Sequence, residues 1–203
     1  MKGKNKYNMF QKHHQVIYNC ILTSILFCMI SCSGNSTGTD TLENGRELRP
    51  GDAFIKVSGD LNFESEAIAM FNYLTPLGEH QWFIGINNMF DNPGNDLFVM
   101  NIEIRSASEI DLPDTGTYNI GSGGTDSGIY LGVFSSLPGN SGAVAYSSRA
   151  GNGGGTLTIT ETTNSFVKGE LEFRAVFDPE LNPGQQGSGA LQIDGVFYAL
   201  PFN

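Results

Sequence analysis

The chain holds 203 residues, of which 39% are apolar, 16% charged and 26 glycine, with 14 Phe, seven Tyr and one Trp. That is enough apolar surface to pack a core, which excludes a disordered chain, and the length suits one domain plus a leader. Charge is unevenly placed: residues 1–31 carry Lys2, Lys4, Lys6 and Lys12 and no acid, whereas after Cys32 seven basic residues face 21 acids, and a net charge of −14 argues against nucleic acid as a partner.

Behind the basic stretch 1–15, residues 16–31 (VIYNCILTSILFCMIS) form an apolar run interrupted only by Asn19, Thr23, Ser24 and Ser31. The run is short for a membrane-spanning helix, which needs about 20 predominantly apolar residues. It fits the apolar segment of a secretory signal whose positive flank stays on the cytoplasmic side. Met29-Ile30-Ser31-Cys32 follows, then Ser33-Gly34-Asn35-Ser36-Thr37-Gly38. This arrangement resembles the lipobox of bacterial lipoproteins, with Met29 where Leu is the commoner occupant. The resemblance implies a signal peptide over 1–31, a diacylglycerol on the Cys32 thiol, cleavage before Cys32, and a palmitate or related acyl chain on the freed amine. Cys20 and Cys28 leave with the leader in this reading, so Cys32 becomes the sole thiol and no internal disulfide can form. Two or three acyl chains anchor a protein stably to a bilayer, as one chain does not.

Residues 32–50, rich in Ser, Gly, Thr and Asn, read as a flexible tether. No Asp follows Cys32 directly. By the sorting habit of enterobacterial lipoproteins, that resembles an outer-membrane address in the envelope of a Gram-negative cell.

From residue 51 to 203 the apolar pattern has period two and predicts a single antiparallel β-domain. The clearest strand is Val167–Phe177, where Val167, Gly169, Leu171, Phe173, Ala175 and Phe177 share one face and Lys168, Glu170, Glu172 and Arg174 the other. In chain order the remaining expected strands are Ala53–Ser58, Ala67–Leu74, Trp82–Asn87, Phe98–Arg105, Thr117–Ile120, Ile129–Phe134, Ala143–Ser148, Thr156–Thr160 and Leu191–Leu200. The connectors between them are rich in Gly, Asn, Asp and Pro, as turns require. About nine or ten strands at this spacing predict an all-β fold, either an antiparallel β-sandwich or a flattened up-and-down barrel.

Few residues in this domain can carry chemistry. Nucleophilic catalysis needs a base beside Ser, Cys or Thr, and after the leader only His80 remains, with no G-x-S-x-G elbow at Ser122 or Ser188. Zinc fails for want of ligands, and no cofactor other than the Cys32 lipid is expected. Calcium candidates are Asp91, Asn95 and Asp96, hard oxygen ligands in one loop, but the loop lacks an EF-hand's spacing and its composition is what a tight turn wants. Glu170 and Glu172 share the wet face of one strand, which suits an ordinary surface as well as a carboxylate pair for glycoside hydrolysis. Trp82, Tyr73, Tyr130, Tyr146 and Tyr198 could offer a stacking platform to a glycan; the apolar surroundings of Trp82 favour burial instead.

Four motifs carry a family likeness: Gly116-Thr117-Tyr118-Asn119-Ile120-Gly121, Gly155-Thr156-Leu157-Thr158-Ile159-Thr160, Phe166-Val167-Lys168-Gly169-Glu170-Leu171-Glu172-Phe173, and Ile193-Asp194-Gly195-Val196-Phe197. In kind and order they resemble the DUF6252-like β-domain of Bacteroidota lipoproteins, with Leu171 where an aromatic is commoner. The resemblance implies an architecture and a phylum, and no catalytic residue. The expected function is thus a lipid-anchored envelope protein, a non-catalytic binding or assembly module whose partners are the bilayer and an envelope protein or glycan. The alternatives are a carboxylate-based hydrolase acting on glycans and an integral outer-membrane β-barrel.

Overall fold

A computed structural model describes residues 40–41, 47–74, 80–89, 97–106, 113–121, 129–136 and 143–202. These belong to one of the two units into which the chain divides, Gly38–Asn203. Twelve strands follow one another: β1 (Asp40–Thr41), β2 (Glu47–Leu48), β3 (Asp52–Gly59), β4 (Phe63–Leu74), β5 (His80–Asn87), β6 (Phe98–Ser106), β7 (Gly116–Ile120), β8 (Ile129–Ser136), β9 (Val144–Ser147), β10 (Gly154–Thr163), β11 (Phe166–Phe177) and β12 (Ala190–Pro201). β3 to β12 are the ten strands that the period-two pattern predicts.

The sheet closes on itself, which decides for the barrel over the sandwich. Each of β3, β4, β5, β6, β8, β9, β11 and β12 pairs antiparallel with the next, and β12 returns to β3, from Phe197↔Ala53 to Leu191↔Gly59. The seam between β8 and β11 is wedge-shaped. At one end of the barrel β9 alone bridges it, through Val133↔Ser147 and Val176↔Ser147. Toward the other end two strands fill it: β10 pairs with β11 from Gly154↔Arg174 to Thr163↔Phe166, and β7 lies on β10 and touches β8 only at Ile120↔Tyr130. The end bridged by β9 is termed the distal rim. The proximal rim is where the chain joins the barrel at Gly51, whose N–H donates to the Tyr198 carbonyl. The chain leaves at the same rim, with the Phe202 N–H donating to the Phe71 carbonyl.

Inward positions are filled by the domain's own apolar side chains. On β11, Val167, Leu171, Phe173, Ala175 and Phe177 are buried, and on β12 Leu191, Ile193, Phe197 and Ala199. Phe98 and Phe134 stack in the interior with centroids 5.2 Å apart, and Phe63 tilts against both. Each such ring removed from water contributes about 1.5–3 kcal/mol. Glycines make room for rings: a Cβ on Gly132 would lie 2.6 Å from the Phe173 ring, and one on Gly169 2.8 Å from the Phe197 ring. Outward positions carry the exposed charges, as on β11, where Glu170, Glu172 and Arg174 are exposed, among half-buried apolar residues such as Phe54, Ile68, Met70 and Phe83.

Three departures from expectation have local causes. β4 begins at Phe63, earlier than Ala67, because inward Ser65 breaks the apolar alternation; its hydroxyl is satisfied by Asn88 Nδ2 at 3.0 Å. β10 runs on past Thr160 because the register shifts between Ile159 and Glu161 and changes the phase of the pattern. The stretch 32–50, expected as tether, is tied down at its end: Asp40–Thr41 pairs with Glu47–Leu48, and Leu48 is buried at 6% exposure. Burying that one apolar side chain draws the segment into the domain.

Candidate functional site

Two clusters gather polar side chains around buried groups. The first holds the distal rim. β11 gives β9 only two ladder partners before ending at Phe177, and Asn182 continues the ladder with its side chain. Its Oδ1 accepts from the Ala145 N–H at 2.9 Å and its Nδ2 donates to the Ala145 carbonyl at 2.7 Å. The same Nδ2 donates to the Asp178 carbonyl at 2.7 Å. Asp178 is buried beside it: Oδ1 accepts from the Glu180 N–H at 2.9 Å, and Oδ2 faces Arg149 Nε at 3.5 Å. Ser147 and Ser148 accept from the backbone N–H groups of Arg149 and Gly132. Backbone groups hold most of the polar atoms of this cluster, both serine hydroxyls included, so the arrangement braces β9.

The second cluster lies on the outer wall toward the proximal rim. Lys168 and Tyr198 are direct cross-strand partners on β11 and β12. Lys168 Nζ sits 4.4 Å from the Tyr198 ring centroid, 5.4 Å from that of Phe166, and 3.3 Å from Glu161 Oε2. The Phe166 and Tyr198 rings meet edge-on at 4.9 Å. Tyr198 points outward yet is 3% exposed, and the stem of Lys168 can cover apolar surface while its ammonium interacts with ring faces and a carboxylate.

The sequence-derived candidates are not brought together. Cys32, Asp91, Asn95, Asp96 and Ser122 lie outside the described residues, as do the side chains of His80 and Tyr130. Trp82 packs on Tyr73 at 5.2 Å and on Phe71 at 5.7 Å, against the core near the proximal rim. Tyr146 is a core residue of β9 at the other rim, and Tyr198 lies under Lys168. The aromatics therefore form no common platform. Glu170 and Glu172 stand exposed on the outer wall, and Ser188 is an exposed loop residue. Among the described residues no cluster of three or more His, Cys, Asp or Glu is placed to hold a metal ion, and no helix is long and apolar enough to cross a membrane.

Two tyrosines are electrostatically perturbed. Burial raises the pKa of Tyr146, helped by the charge of Asp60, and burial raises that of Tyr118, helped by Asp114. The Tyr118 hydroxyl donates to the Asp114 carbonyl at 2.6 Å, a bond that ionisation would remove. The folded state thus holds these phenolic protons more tightly than the unfolded chain. Their contribution to stability is complete below the unfolded-state value of about pH 10 and is lost as pH rises through the higher folded values. Urea midpoints should fall more steeply above about pH 10 in the parent than in a Tyr118→Phe, Tyr146→Phe double variant. Identical alkaline profiles would contradict the assignment.

The fold and these clusters define the domain as a closed antiparallel β-barrel with a filled apolar interior and a charged wall. Comparison with family models, with curated proteins and with solved structures gave no match. The four motifs that resemble Bacteroidota lipoproteins fall on or at the ends of β7, β10, β11 and β12.

Proposed function

We propose that this protein is an exported lipoprotein, anchored in the cell envelope through acyl chains on Cys32, whose barrel is a non-catalytic binding or assembly module. The observation that carries the reading is the direction of the barrel's polarity. A barrel embedded in lipid turns an apolar band outward. Here the core cluster fills the interior, and Lys56, Glu66, Glu170 and Glu172 stand exposed on the wall between its half-buried apolar positions. A barrel of this polarity is a passenger in water, and attachment to a membrane then falls to the apolar leader and the cysteine that follows it. The non-catalytic part rests on the braced serines and on the position of Glu170 and Glu172, since a general acid needs a carboxyl withdrawn from water and both are exposed. An outer-membrane address, and membership among the Bacteroidota lipoproteins with a DUF6252-like domain, are the companion proposals from the sequence around Cys32 and from the four motifs.

Fractionation of cells fed labelled palmitate tests the anchor. The parent protein should sediment with membranes and carry label, and Cys32→Ser should lose the label and leave the membrane fraction. Unlabelled parent protein in the membrane fraction, or a Cys32→Ser protein that stays there, would overturn the reading.

A further inference from the structure

We infer that the barrel holds a structural water at its proximal end, bound to the Thr162 hydroxyl and to main-chain groups that a bulge in β10 frees from the ladder. The site is independent of the proposed anchor and belongs to the barrel wall itself.

The phase of β10 creates the site. Leu157 and Ile159 face inward and are buried in the core cluster. Unbroken alternation would carry Glu161 inward after them, setting a carboxylate against Val167 and the apolar interior. The bulge prevents this. Ile159 pairs with Gly169 and Glu161 with Lys168, so Thr160 is the extra residue. Glu161 therefore stands outward, with Oε2 3.3 Å from Lys168 Nζ. Thr162 takes the inward position instead, directly opposite Val167, which is 1% exposed.

That exchange leaves polar groups unmatched. Thr160 has no ladder partner on β11, and pairing with β7 stops at Ile159↔Gly116. Thr162 Oγ1 is buried and meets no hydrogen-bonding group of the protein, which is true of no other buried side-chain N or O atom among the described residues. The buried hydroxyls of Ser65, Ser147 and Ser148, by contrast, each have a partner. A buried hydroxyl without one has given up its hydration for nothing, which is why such groups bind ordered water. Buried waters make about three hydrogen bonds; Thr162 Oγ1 and the main-chain groups released two residues away at Thr160 supply them. A cation is a poorer occupant, because it wants several oxygen ligands and Glu161 is turned outward to Lys168. The water thus completes the bulge, and the bulge is what seats Glu161 beside the ammonium that lies over Tyr198.

A crystal structure of the whole protein and one isosteric variant test the site. Density for a water should stand within about 3.2 Å of Thr162 Oγ1 in the parent. Thr162→Val keeps the shape of the side chain and removes the hydroxyl, so the water should leave and the urea midpoint should fall by roughly 0.5–1 M. A midpoint at or above that of the parent would mean that the hydroxyl was stranded without a partner, and would overturn the inference. A parent structure with no water at Thr162, or a water that persists in Thr162→Val, would overturn it as well.

Discussion

Replacing Phe173 with alanine should destabilise the domain by about 3–5 kcal/mol, the usual range for emptying a buried aromatic site, and Gly132→Val should restore much of that loss. Phe173 is 1% exposed inside the barrel, and a Cβ on Gly132 would lie 2.6 Å from its ring. In the parent background Gly132→Val therefore drives a methyl-bearing side chain into an occupied site and should cost about 1–3 kcal/mol. In the Phe173→Ala background the same valine enters the vacated volume. A double-mutant cycle by urea denaturation should return a favourable coupling of about 1–3 kcal/mol. Additive losses would show that the two positions do not share one packing site.

The second large effect concerns a polar residue. Asn182→Leu keeps the size of the side chain and removes its three side-chain hydrogen bonds. The Ala145 carbonyl retains the Asp178 N–H at 3.2 Å, and the Asp178 carbonyl retains the backbone N–H groups of residues 181 and 182, each at 3.1 Å; the Ala145 N–H loses the Asn182 partner that holds it in the parent. One buried group is left unsatisfied, so the expected cost is about 1–3 kcal/mol. The damage should also be local. β9 has β11 on that side only at Val176 and Phe177, so hydrogen exchange at Ala145 and its β9 neighbours should accelerate more than exchange in β3 or β12. Uniform acceleration across the barrel would mean that Asn182 contributes to global packing without bracing this strand.

These two residues also show where sequence legibility ended. Phe173 was legible as core because it stands in the six-residue alternation of β11, whose inward and outward rows are those expected from period two. Glu170 and Glu172 were placed on the wet face for the same reason, and the wall bears them there. Closure was not legible. The β3–β12 pairs that shut the ring join residues more than 130 positions apart, as in Leu191↔Gly59, and local periodicity carries no information on such partners. The wedge at the seam is hidden likewise, since β9 and β7 read as short strands with nothing to say that each meets β8 at a different end. Asn182 lies outside every strand that the periodicity marks, and its ladder-like pairing with Ala145 spans 37 positions. Tyr198 was read as a candidate platform residue, and only the cross-strand register with Lys168 shows why an outward tyrosine is buried. β1 and β2 are two residues each, too short to display any period.

Mass spectrometry of the mature N-terminus tests the central claim most directly. The account predicts a first residue of Cys32 bearing a diacylglyceryl thioether, with an acyl chain on its amine, and no peptide from residues 1–31. A mature chain that begins elsewhere, or one that begins at Cys32 with a free thiol, would contradict it.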